Sequence, residues 1–153
     1  VFPYKSLMAG NEAIGAEMIG KAKQICGDKI LKVIIESGEL KTPELIKLAS
    51  EIAINNGADF IKTSTGKVAV NATLEATKIM LETIKASGKA CAFKAAGGVR
   101  LVSEARDYLD LTSQIMGNAW INSNNFRFGA SSLLGDVINV LNDKESTLNK
   151  NLY

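Results

Sequence analysis

A repeat of about 30 residues constrains this chain more than any other feature. Gly27, Gly57, Gly88 and Gly117 lie 30, 31 and 29 residues apart, and Lys32, Lys62, Lys94 and Arg127 lie 30, 32 and 33 apart. Each basic residue sits in a short, largely apolar run: ILKVIIE (30–36), DFIKTST (59–65), ACAFKAAGG (90–98) and FRFGASS (126–132). Between the runs lie amphipathic stretches with helix punctuation. Thr42-Pro43 reads as an N-cap followed by a first-turn proline. Thr73 with Glu75, and Ser103-Glu104, also read as helix starts. The four glycines read as left-handed caps. A last helix is expected near 132–142, and then a polar, mobile tail over 143–153. A repeat of this length fits one strand–helix–strand element. Such alternation predicts a parallel α/β sheet. With 153 residues, 46% of them hydrophobic, the chain can bury the core of one domain over 1–153.

Alternate residues of a strand share a face. Lys32, Ile34 and Glu36 therefore point one way, and Leu31, Val33 and Ile35 the other. Phe60, Lys62 and Ser64 share one face of the second run, as do Ala92 and Lys94 of the third. A lone strand lysine usually snorkels to solvent. Three at one phase of the repeat suggest amines gathered in a site near the C-terminal strand ends, where β/α folds build their chemistry. Burial and neighbouring positive charge both lower a lysine pKa from its ordinary ~10.4. The neutral amine so produced can attack a carbonyl and form a Schiff base.

Three runs end in polar turns: TSTGK (63–67), AAGGVR (95–100) and GASS (129–132). Glycine lets the backbone approach a ligand, and amides opening a helix favour an anion. Lys67 and Arg100 add charge, and Ser131 and Ser132 add hydroxyl donors. One such turn alone is more often an ordinary loop. Three at adjacent strand ends read as a phosphate cup. The Gly-Lys of TSTGK is not a P-loop, because the upstream glycine of that motif is absent.

Several function classes are disfavoured. The chain has no histidine, which removes most zinc sites and every histidine-based triad. A net charge of +2, without a basic stripe or interleaved aromatics, argues against nucleic acid as a partner. No apolar run is long enough for a bilayer, and no segment reads as a secretory leader. Cys26 and Cys91 form no C-x-x-C pattern and suit a reducing compartment, so a cytoplasmic location is expected.

The segments VFPYKSLMAGNE, LKVIIESGEL, GADFIKTSTGKVAVNAT, FKAAGGVR and RFGASSLL together resemble deoxyribose-phosphate aldolase, over almost the whole chain. FIKTSTGK and GGVR, in this order and spacing, are the most specific parts. The resemblance implies a TIM (β/α)8 barrel and a class I aldolase that uses neither metal nor cofactor. It implies reversible cleavage of 2-deoxy-D-ribose 5-phosphate to D-glyceraldehyde 3-phosphate and acetaldehyde. By the same resemblance Lys62 matches the Schiff-base nucleophile. Lys94 matches the lysine that perturbs the nucleophile's pKa and assists proton transfer, and Lys32 matches a further lysine inside the barrel. Thr65, Gly66, Lys67, Gly97, Gly98, Arg100, Gly129, Ser131 and Ser132 fall where the family holds substrate and phosphate. Tyr153 matches a C-terminal tyrosine that supports proton exchange. Ala95 departs from the family, where proline is common.

The chain opens at Val1, without methionine, past the position of the family's catalytic aspartate. A full barrel of this kind runs to about 250 residues. The expectation is therefore a C-terminal half-barrel of about four βα units, with open edges that need a partner. That partner would be a second copy, in a homodimer, or the complementary half. The substrates would be small phosphorylated sugars and aldehydes. Other readings are a weakly active or inactive half-barrel that dimerises or binds phosphate, a different lysine-dependent barrel aldolase, and, for the fold, a doubly wound open sheet.

Overall fold

The computed structural model describes residues 1–144. Tyr153 and residues 145–152 of the polar tail lie outside the described residues. Two helices, α1 (Tyr4–Met8) and α2 (Ala13–Cys26), precede strand β1 (Lys32–Ile34). After it come α3 (Ser37–Leu40), α4 (Pro43–Asn55), β2 (Phe60–Lys62), α5 (Leu74–Ser87) and β3 (Ala92–Ala96). The order ends with α6 (Val102–Met116), a 3-10 turn (Asn118–Trp120), β4 (Phe126–Gly129) and α7 (Leu133–Leu141). Every expected strand is present, but shorter than its apolar run. The ends of the runs leave the regular strand: Glu36, the last residue of the first run, is left-handed and opens α3.

Two helix starts form as the sequence predicts. Thr42 Oγ1 accepts from the Leu45 amide at 3.3 Å with Pro43 in the first turn, and Thr73 Oγ1 accepts from the Ala76 amide at 3.1 Å. The third start, at Ser103-Glu104, holds to within one residue. Helix α6 begins at Val102, and carboxylates cap it instead of a serine hydroxyl. Glu104 accepts from the amides of Arg100 and Leu101 at 2.7 and 3.0 Å, and Asp136 of α7 accepts from the Val102 amide at 2.7 Å. The expected glycine caps need a correction. Gly27, Gly57, Gly88 and Gly117 all have positive φ. Among the three that directly end a helix, only Gly88 adopts the left-handed helical conformation, while Gly27 and Gly117 turn the chain away at other ψ values.

The strands pair in parallel in the order β1-β2-β3-β4. Sequential order without a reversal rules out the doubly wound alternative, which requires a switch point. Right-handed crossovers that all step the same way place their helices on one face of the sheet. Accordingly α4, α5, α6 and α7 each pack against the next. The result is an α/β arc of four parallel strands backed by helices, as in part of a TIM barrel. Val33, Ile35, Ile61, Phe93 and Ala95 point to the helices and join Ala53, Met80 and Leu81 in one buried cluster. Each large apolar side chain so buried contributes about 1.5–3 kcal/mol. The Phe2 amide donates to the Ile34 carbonyl at 2.8 Å, along the outer edge of β1. Its ring packs on Gly15, where an added Cβ would lie 2.7 Å from ring carbons. Among the described residues no helix is long and apolar enough to cross a membrane.

Candidate active site

The sheet face turned away from the helices carries the repeated basic residues. Register fixes their places. Lys32 lies opposite Phe60, and Phe60 opposite Ala92. One step further along, Ile34, Lys62, Lys94 and Arg127 form a single row across all four strands. Neighbouring strands are about 4.8 Å apart, so this row concentrates three cations. Phe60 lies beneath two of the basic side chains. The Lys32 ammonium sits 4.6 Å from its ring centroid and the Arg127 guanidinium 4.7 Å. Such contacts contribute about 0.5–1 kcal/mol each at partly exposed sites. They also explain how Phe60, on the helix-free face, is only 2% exposed.

The crowding acts on the amines. Burial, and then the positive charge of Lys94, lowers the Lys62 pKa below the ordinary lysine value, against an opposing pull from Glu36. Burial also lowers that of Lys32, with Lys94, Arg127 and Lys62 adding to the effect. Each loss of proton affinity follows from the cost of charge in a desolvated, already positive site. A lysine biased toward its neutral form can attack a carbonyl carbon.

Beyond the row, the strand ends open into a cleft of about 900 Å³. It is lined by Lys62, Thr65, Gly66, Lys67, Gly97, Gly98, Arg100, Gly129, Ser131 and Ser132. Every residue expected to hold substrate or phosphate therefore faces one space, with Lys62 in its wall. Lys94 is not in the lining, but its side chain runs over Gly129, where an added Cβ would stand 2.7 Å from Lys94 Cε and 3.4 Å from Nζ. Glycine at 129 is thus what lets the Lys94 ammonium reach the rim. Lys32 lies deeper, over Phe60. Among the described residues no group of His, Cys, Asp or Glu is arranged to hold a metal ion.

The Thr-Ser-Thr of the second run divides its labour. Thr63 and Ser64 are wholly buried. Thr63 Oγ1 accepts from the Ala96 amide at 3.0 Å, and both hydroxyls donate to the Ala96 carbonyl. They tie the end of β2 to the end of β3. Thr65 is the first of the three to line the cleft, and its Oγ1 accepts from the Lys67 amide at 3.1 Å, closing the turn.

Two residues that sequence reasoning did not single out belong to this environment. Asn71 lines the cleft and packs on Gly97, and an added Cβ at Gly97 would fall 2.7 Å from the Asn71 Cβ. Glu36 is buried, and its carboxylate accepts from the Thr65 amide at 3.0 Å. Its phase in the strand alternation was visible; its partner, 29 residues on, was not. Gly97 also has φ +83°, a region that side chains rarely adopt. Gly97→Ala is therefore expected to cost about 1–3 kcal/mol of stability and to displace Asn71. Urea unfolding measures the first effect; the crystal structure of the variant shows the second.

The family model for DeoC/LacD family aldolases matches residues 1–134. Solved structures resemble the arc closely. The apo form of a candidate deoxyribose-phosphate aldolase from Toxoplasma gondii ME49 superposes with a TM-score of 0.81 at 26% identity, over 92% of this chain and 56% of that one. An aldolase named QR15 gives 0.71 at 25% identity, over 92% and 58%. A deoxyribose phosphate aldolase from Aeropyrum pernix, described as a tetramer of unique structure, gives 0.66 at 17% identity over 85% and 50%, a likeness of fold alone. The chain spans about half the length of the structures it matches.

Proposed function

The chain belongs to the DeoC/LacD family of aldolases, and from that premise we propose that it works by a lysine Schiff base as a deoxyribose-phosphate aldolase. The observation that carries this reading is Lys62. It stands in the wall of the cleft, its proton affinity is lowered by burial and by Lys94, and the glycine- and serine-rich turns face it. In the proposed reaction the neutral Lys62 amine adds to the C1 aldehyde of open-chain 2-deoxy-D-ribose 5-phosphate. Loss of water gives the protonated imine. The C3 hydroxyl then gives up its proton, and the C2–C3 bond breaks. Glyceraldehyde 3-phosphate leaves, and the electron pair moves into an enamine on C1–C2. Protonation of C2 and hydrolysis release acetaldehyde and restore the amine. Lys94, next in register to Lys62, is proposed to move these protons. Lys67 and Arg100 supply positive charge toward the phosphate, with Ser131, Ser132 and the backbone of Gly97 and Gly98 as donors. Lys32 supports the pair electrostatically, and Tyr153 is proposed to assist proton exchange.

Comparison of substrates tests this reading. The phosphorylated sugar is expected to exceed unphosphorylated 2-deoxyribose in kcat/KM by at least ~10²-fold, since charge-assisted contacts to one phosphate contribute several kcal/mol together. Inorganic phosphate should raise the melting temperature by binding the native state, and S131A/S132A should weaken that protection. Equal use of both sugars would contradict the phosphate cup.

Assembly belongs to the same proposal. Ile14, Met18 and Ile25 lie exposed on α2 at helical spacing, and Leu134, Ile138 and Leu141 do so on α7. The first stripe lies on a helix packed against α1 and α4, the second on one packed against α6, and β1 and β4 are the outer strands of the sheet. We propose that two arcs associate through these stripes, as a homodimer of half-barrels or with a complementary half. The tetrameric relative makes association through some surface a natural expectation for the fold. A homodimer that forms without raising turnover would fit the second reading, a non-catalytic phosphate-binding arc. Light scattering over a range of concentrations separates a dimer from a concentration-independent monomer, and the latter would contradict self-association.

A further inference from the structure

We propose that Glu36 is a positioning residue of this site: from just beyond the end of β1 its carboxylate pins the Thr65–Lys67 turn and sets a buried carboxylate against Lys62 of the neighbouring strand. The inference deepens the Schiff-base reading and rests on it for its catalytic meaning.

Three observations carry it. Glu36 is only 2% exposed, and charged residues are rarely buried to this degree without a partner or a task. It adopts a left-handed backbone conformation, φ 58° and ψ 58°, which non-glycine residues seldom adopt without a reason in the surrounding structure. That conformation breaks the strand alternation and swings the side chain toward β2, where Oε1 accepts from the Thr65 amide at 3.0 Å. Thr65 opens the turn that lines the cleft, three residues after Lys62. An amide alone does not call for a charge, because a glutamine would accept the same hydrogen bond. What a carboxylate adds is attraction to the Lys62 amine, which feels it as an opposing pull against burial and Lys94.

Lys32, Lys94 and Arg127 share the helix-free face of the sheet, and Lys67 lines the same cleft as Lys62. Of the charges that act on Lys62, Lys94 lowers its proton affinity and Glu36 opposes that. Glu36 therefore moderates how far burial and Lys94 depress Lys62. With too much depression the imine nitrogen would not hold the proton that makes it an electron sink; with too little, no free amine would be available to attack.

The test is the titration of Lys62 in the native protein, followed by NMR of lysines labelled with carbon-13 at Cε. The Lys62 signal is identified by its absence in a Lys62→Met variant. In E36Q, which keeps the acceptor for the Thr65 amide, the Lys62 midpoint is expected to fall further below that of the parent. Phosphate protection against heat should be unchanged. In E36A the acceptor is lost as well, and phosphate affinity should drop about tenfold, as expected for one lost positioning contact of ~1.4 kcal/mol. A Lys62 midpoint unmoved in E36Q would overturn the inference, whether or not the protein forms an imine. A midpoint that moves while acetaldehyde and borohydride leave Lys62 unmodified would support the electrostatic role and sink only the Schiff-base reading.

Discussion

Lys62→Leu is expected to lower cleavage of 2-deoxy-D-ribose 5-phosphate by at least ~10³-fold, the scale on which loss of a covalent nucleophile is felt. Leucine keeps an aliphatic side chain on the strand and removes only the reacting amine, so the arc should fold as before. The Lys62 strand position is held by the β1 and β3 ladders and by Ile61, which is fully buried on the opposite face. Phosphate should still protect the variant from heat, because the turns that would hold it are untouched. A coupled assay for glyceraldehyde 3-phosphate reads the loss. Retention of more than a tenth of the parent rate would assign the chemistry to another group.

Lys94→Met is expected to cost about 10²–10⁴-fold in the same assay, the range typical of a positioned proton-transfer group. Two effects combine, and pH separates them. Lys94 is the charge that, after burial, most lowers the Lys62 pKa. Without it the Lys62 pKa rises toward the ordinary ~10.4, and the free-amine fraction near neutrality falls. That part of the loss should recover as pH is raised through the new value. The part due to proton transfer should not. Full recovery at high pH would make Lys94 purely electrostatic, and no shift in the profile would deny it the electrostatic role.

Much of the architecture was legible because the repeat writes it twice, once in the glycines after the helices and once in the basic residues within the strands. Thr42-Pro43 and Thr73 announced their helices because a side-chain cap is a local interaction. Helix α6 starts one residue before Ser103, and two carboxylates cap it: Glu104, which belongs to the local signal, and Asp136, which comes from α7. No local pattern encodes a cap supplied 34 residues away. The cleft was legible for the complementary reason: strand ends in a parallel sheet converge, so turns far apart in sequence fall together. Arg127 shared the lysines' phase, yet its place over Phe60 depended on a cross-strand geometry that sequence does not display. Glu36 was read as continuing the first strand, but it lies beyond the end of β1, and its left-handed backbone and its bond to Thr65 emerge only when β1 and β2 are laid side by side. The stripes of Ile14, Met18, Leu134 and Ile138 were hidden among ordinary amphipathic patterns, since exposure is set by what packs beside a helix.

The claim at the centre of this account is that Lys62 forms an imine with an aldehyde. It is tested most directly by incubating the protein with acetaldehyde and borohydride and mapping the reduced adduct by peptide mass spectrometry. The account predicts one ethyl group, carried mainly on the peptide containing Lys62. Ethylation spread evenly over exposed lysines such as Lys21 and Lys47, with Lys62 unmodified, would contradict it.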